Sequence, residues 1–247
     1  MLWANGSLHL FSKNRTAPFD GWIYHYKISD QPGDYVIQRV DSFQTRGNQK
    51  ETYWATAADV SEDGSRMVVL SSDKMWVFAC YKDDDFFKGF GLPVSLGTIS
   101  QKEAITFVGA RHLMLSDERF IITGGKIYEL DIQGLPAIKV NLGTDRMLAG
   151  DSVILKPLMP ADTRFQWSTG DTSTSLIVRQ PGTYFVEIDL NGCIAHDTVE
   201  VLGPSSLVGD EALPEIEIGP NPFAQTTQIS VSLPVPGPVE ISLLDSA

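Results

Sequence analysis

Apolar residues in this chain fall in short runs that rarely recur at helical spacing. Runs such as "SLHLF", "WIYHYKI", "MVVL", "MWVFA", "HLMLS" and "TYFVEID" are rich in branched and aromatic side chains, which suit a pleated, half-buried strand. Clusters of Gly, Asp, Asn and Pro separate them, with 21 Gly and 14 Pro in all. This pattern predicts an all-β protein of short antiparallel strands.

Three passages share one layout, an apolar strand, a turn and a second strand carrying aromatics: "SLHLFSK" then "GWIYHYKI", "SRMVVLSSD" then "KMWVFAC", and "RHLMLSDE" then "GKIYELDI". Leu70 and Leu115 share one offset with Val60 and Ile105, and it falls in the range of about 40–50 residues at which four-stranded propeller blades repeat. "SEDGSR" reads as an inner hairpin turn, with Asp63-Gly64 placed for positive φ. Residues 1–139 are therefore expected to form a partial β-propeller of about three blades. Rings usually need about 4–8 blades to remove their sheet edges. The expectation is accordingly a fragment, cut at both ends, whose open wedge aggregates when expressed alone and whose export information lies upstream of Met1.

Residues 140–203 alternate differently. "SLIVRQ", "TYFVEID" and "DTVEVL", with the turn "PGTY", predict a small β-sandwich anchored by a buried Trp167. Residues 204–215 hold Pro, Gly, Ser and acidic side chains and read as a solvated linker. Residues 216–247 hold two more strand-like runs within "IGPNPFAQTTQISVSLPVPGPVEISLLDSA".

The first region, with "LWANGSLHLFSKNR" and "TAADVSEDGSRMVVLSSDKMWVF", resembles the last blades of propellers in surface and secreted proteins of Bacteroidetes. "FQWSTGDTSTSLIV" with "PGTYFVEI" and "NGC" resembles their immunoglobulin-like and PKD-like modules. In many of those modules the cysteine of "NGC" bridges to one just before "AGDS"; Leu148 stands there in this chain, so the resemblance implies a free Cys193. Pro220, Asn221, Pro222 and Phe223 match the segment that opens the type IX secretion C-terminal sorting domain, here truncated. Taken together, the resemblances imply a secreted or cell-surface binding or adhesion protein, exported by the type IX machinery and directed at a protein or glycan ligand.

Charge narrows the classes further. The formal net charge is -12, and it deepens toward the C-terminus, from -2 over 1–139 to -4 over 140–203 and -6 over 204–247. A nucleic-acid binder needs clustered cations to release phosphate counterions, and this gradient excludes one. An anionic membrane surface is disfavoured for the same reason, and no apolar run approaches the ~20 residues of a membrane-spanning helix. Cys80 and Cys193 lie far apart with no metal-ligand spacing; a disulfide is one alternative, and two buried free thiols are the expectation.

No nucleophile elbow, HExxH, phosphate-cradling loop or dinucleotide fingerprint is present, so the chain is not expected to be an enzyme. His9, His25, His112 and His196 are assigned to different units and read as strand-surface side chains. "YKDDDFFKGF" reads as a charged loop flanked by core-packing Phe86 and Phe87. The candidate metal site is acidic: Glu103 opens one strand, Asp117 and Glu118 end the next, and a hairpin would bring them to one rim, where three carboxylates suit Ca²⁺. The rival reading is a metal-assisted propeller hydrolase of the phytase-like phosphoesterase or esterase kind, using those three residues.

Overall fold

The computed structural model describes residues 1–13, 15, 20–45, 54–97, 99–119, 124–148, 150–203, 215–219 and 228–232. Apart from one 3-10 turn, the regular elements among them are all strands, as the pattern predicts.

The first sheet is an antiparallel meander of β1 (Leu2–Ala4), β2 (Ser7–Phe11), β3 (Trp22–Ser29) and β4 (Gln38–Gln44). Asn5 and Gly6, both at positive φ, close its first hairpin. A second meander follows, with β5 (Ala57–Val60), β6 (Arg66–Leu70), β7 (Lys74–Ala79) and β8 (Phe90–Ser95). The 3-10 turn Phe86–Lys88 lies between its last two strands. The third sheet has three strands, β9 (Lys102–Phe107), β10 (His112–Asp117) and β11 (Ile127–Asp131), in the order β11-β10-β9.

Packing explains why β6 and β7 are apolar at successive positions. Met67, Val69, Trp76 and Phe78 share a core with Leu2, Ala4 and Ile23 of the first sheet. Their neighbours Val68, Leu70, Met75 and Val77 share another with Ile105, Leu113 and Leu115 of the third. The second sheet is thus the middle layer of three, covered on both faces. Each buried aliphatic side chain there contributes about 1.5–3 kcal/mol of transfer free energy. The Phe78 ring lies on bare backbone at Gly91, where a Cβ would stand 2.6 Å from Phe78 Cε1.

The expected repeat offset holds for only part of its length. Leu115 pairs with Ile105, whereas Leu70 pairs with Ala57 and Val60 with Met67. Leu70 and Leu115 enter the same core; the strands before them stand in different registers.

The second unit is a sandwich. β12 (Arg146–Met147), β14 (Arg164–Trp167), β16 (Gly182–Leu190) and β17 (Cys193–Leu202) form one sheet in the order β12-β17-β16-β14, with β12 parallel to β17. β13 (Val153–Leu155) and β15 (Leu176–Val178) form the other. Trp167 is 1% exposed, and its indole Nε1–H donates to Ser173 O at 2.8 Å. It sits in one core with Leu155, Val178, Ile188 and Val199, confirming it as the anchor. β18 (Glu215–Gly219) and β19 (Gln228–Ser232) make a separate antiparallel hairpin.

The expectation of two free thiols is overturned: Cys80 and Cys193 form a disulfide, their Cα atoms 5.9 Å apart. Cys193 opens β17 beside the hairpin residues Asn191 and Gly192, and this tip rests against the end of β7, where Cys80 takes a positive φ of 63°. Asn191 Nδ2 donates to Cys80 O at 2.7 Å alongside the bond. The partner comes from the preceding unit, and Leu148 packs against the sandwich core instead of being replaced by a thiol. Spacing within the sandwich segment therefore carried no signal for this pairing.

Candidate binding cleft and a buried histidine pair

Between the first two sheets and the sandwich lies an open cleft of about 560 Å³. Its walls are Trp22 from β3, Gln44 and Phe43 from β4, Lys74 and Trp76 from β7, and Phe87 from the 3-10 turn, with Leu158 of the sandwich at one side. Strand alternation sets these positions. Trp22 and Tyr24 share one face of β3 and stack with centroids 6.4 Å apart and planes 10° from parallel. Lys74 Nζ lies 5.9 Å from the Trp76 ring centroid. Leu158 is 78% exposed. An aromatic plane bordered by an amide and an ammonium can take a flat ligand with an apolar face and a polar edge.

Phe87 also closes over a buried polar chain. His9 and His25 are both 0% exposed, which corrects the surface reading of these two side chains and places both in the first sheet. Register brings them together: Asp41 is directly opposite His25 across β3 and β4, and His9 lies diagonally across β2 and β3. His25 Nδ1 is 2.7 Å from Asp41 Oδ1, and His25 Nε2 is 2.8 Å from His9 Nδ1. His9 Nε2 lies 3.3 Å from Ala4 O and 3.7 Å from Asp84 Oδ1. Asp84 is held by the Lys27 ammonium and by Asn5 Nδ2, the latter at 2.9 Å. Phe87 N–H donates to Asp41 Oδ2 at 2.9 Å. Phe11 stacks on His25 at 4.9 Å, and Phe86 packs edge-on to His9 at 5.2 Å.

Burial pushes His9 below the ordinary imidazole range, and the Asp84 charge pulls the other way without overcoming it. Burial works to raise Asp84, but the Lys27 and Asn5 hydrogen bonds outweigh it and hold the carboxyl below its usual range. The "DDD" loop is therefore only partly a solvated turn, since Asp84 belongs to this interior network. His112 and His196 are exposed, in line with the surface reading, and His112 faces Asp131 at 3.6 Å.

The three carboxylates expected to bind Ca²⁺ are not assembled into a site. Asp117 is buried at a bulge opposite Lys102, where it accepts from Lys126 N–H and Tyr128 Oη, each at 2.8 Å. Those hydrogen bonds, the Lys126 backbone bond first, hold it below the ordinary carboxylate range. Glu103 is exposed and turns to Lys13 at 3.7 Å. Glu118 is exposed beyond the strand end, its N–H donating to Gln101 O. Among the described residues no group of three or more His, Cys, Asp and Glu side chains could hold a metal ion. The hairpin forms as expected, but the Asp117 carboxylate turns to Lys126 and Tyr128 and that of Glu103 to Lys13. Pro220, Asn221, Pro222 and Phe223 lie outside the described residues.

Sequence reasoning missed the His9–His25–Asp41 chain. The available signal was weak: a polar residue at alternate positions of "SLHLF" and "WIYHYK" looks the same whether it faces water or another sheet. No family model matches this chain, and no curated protein matches it significantly.

Proposed function

We propose that this chain is part of an exported, modular binding protein of the bacterial cell surface. Its stacked meander sheets act as blades of a propeller-type binding head. The immunoglobulin-like sandwich is a spacer, and residues 216–247 belong to a type IX sorting domain. The observation that carries this reading is the Cys80–Cys193 disulfide joining the two units, because such bonds persist in oxidising, extracytoplasmic compartments and are rare in the cytosol. A covalent tie between head and spacer also suits a protein that must keep its modules in register outside the cell.

The ligand class the cleft supports best is a glycan. Sugar rings offer an apolar face to an aromatic plane and hydroxyls to the donors around it, and Trp22 with Gln44 and Lys74 supplies that combination. On a glycan array the protein is expected to retain at least one oligosaccharide, and Trp22→Ala is expected to weaken binding by about tenfold, near 1.4 kcal/mol. Equal retention of wild type and variant removes the cleft from the reading.

Export is tested by fractionating the producing cells. The protein is expected at the surface or in the medium with Cys80 and Cys193 oxidised, and to accumulate in the periplasm when type IX secretion is disabled. Recovery from the cytosol with free thiols would overturn the proposal.

A further inference from the structure

The His9–His25 contact fixes how many protons the buried chain requires. Between Asp41 and the first strand there are three hydrogen-bond positions: Asp41 Oδ1 with His25 Nδ1 at 2.7 Å, His25 Nε2 with His9 Nδ1 at 2.8 Å, and His9 Nε2 with Ala4 O at 3.3 Å. Each needs one hydrogen. A carboxylate and a carbonyl only accept, and two imidazole nitrogens in contact need a proton between them. Two neutral imidazoles bring two protons in total, one too few. The Phe87 N–H donates to the second Asp41 oxygen, a hydrogen bond that favours the carboxylate form. A third proton completes the chain, leaving one bare, accepting nitrogen at the contact between His9 Nδ1 and His25 Nε2.

We propose that the His9–His25 pair is a one-proton latch: a single imidazolium charge between Asp41 and Asp84 locks the Asp84–Lys88 turn onto the first sheet, and loss of that proton releases it. The charged groups facing the pair are Asp41 from β4, Asp84 from the segment after β7, and Lys27 from β3, which is tied to Asp84. Beyond them Lys88 is paired with Asp85 at 2.6 Å. With the third proton present, imidazolium balances Asp41 and Lys27 balances Asp84. Without it, a buried acceptor faces another acceptor, and the imbalance sits among Phe11, Phe86 and Phe87 on two rings that are both fully buried.

The sign of the pH dependence follows. In an unfolded chain each imidazole titrates near ~6.5. The latch holds only while the pair carries its third proton, so its contribution is present with that proton bound and is lost as rising pH removes it. A second imidazolium is resisted, in keeping with the lowered His9, so stability also falls when acid forces both rings to charge. Because Phe87 walls the cleft, the latch governs that wall whether or not the cleft binds a glycan.

The test is nitrogen-detected NMR of the full chain carrying ¹⁵N-histidine, followed across pH with amide hydrogen exchange. Near neutrality the pair is expected to show three protonated ring nitrogens and one bare one. Raising the pH through the pair's titration is expected to lower the protection factors of Phe87 and Lys88 by about tenfold, beyond the base-catalysed rise common to all amides, while β16 and β17 keep theirs. Asp41→Asn is expected to move the titration to lower pH, and His25→Gln to abolish it. Two protons on the four nitrogens at every pH, or an unchanged protection factor at Phe87 across the titration, overturns the latch. If the variants fail to fold, the wild-type proton count decides alone.

Discussion

Replacing both Cys80 and Cys193 with Ala is expected to cost about 3–5 kcal/mol and to lower Tm by roughly 10 °C for a chain of this size. The bond spans a sequence separation of 113 residues, so in the unfolded chain it closes a long loop and removes much of that ensemble's freedom. It also ties an end of the middle sheet to the tip of the β16–β17 hairpin. Ala79 and Cys80 already belong to the core that holds Trp167 and Leu190. Loss of the bond is therefore expected to weaken the junction as well as the chain-entropy term. Alanine is the informative substitution because Cys80 is buried, and a serine hydroxyl there would add a desolvation cost of its own. Thermal unfolding by circular dichroism, with and without reductant, measures the effect. Reductant should destabilise the wild type and leave the double variant unchanged. A shift below about 1 kcal/mol would sink the claim that the bond stabilises the junction.

Trp167→Ala is expected to destabilise the sandwich by about 3–5 kcal/mol, the range for emptying a buried aromatic site. The indole fills the space between the two sheets, where Leu155, Leu176 and Val178 come from one and Phe165, Val186 and Ile188 from the other. Backbone bonds that alanine keeps, Trp167 N–H to Asp171 O and Gly170 N–H to Trp167 O, each at 2.8 Å, hold the turn that follows the strand, so the loss is that of the indole. Trp167→Phe keeps most of the apolar contact and leaves the Ser173 carbonyl without its indole donor, for a smaller cost of about 1–2 kcal/mol. Hydrogen exchange separates the consequences by region. Amides of β14, β16 and β17 should lose protection in Trp167→Ala, while those of β6 and β7 largely keep theirs. Equal loss in both regions would mean that the two units unfold as one.

Strand positions were legible because period-2 alternation and turn residues are local properties. The pairs β2–β3, β6–β7 and β10–β11 fall where "SLHLFSK"/"GWIYHYKI" and their two counterparts placed them. The face each strand buries was less legible. In β2 the fully buried side is Ser7 and His9, while Leu8 and Leu10 are only partly covered. The apolar alternation of "SLHLF" points the other way, and the Phe86–Phe87 turn, some eighty positions on, reverses it by packing over the histidines. Register had the same limit, since equal spacing of Val60 and Ile105 did not give equal partners.

By itself the sequence determined an all-β chain, its hairpins, the acidic balance and Trp167 as an anchor, because each depends on residues near one another or on side-chain type alone. Only the tertiary structure decided that Cys80 meets Cys193, that His9, His25 and Asp41 form one buried chain, and that Glu103, Asp117 and Glu118 do not converge. Those outcomes depend on sheet stacking and strand register, which bring together or separate residues whose spacing in the chain carries no record of it.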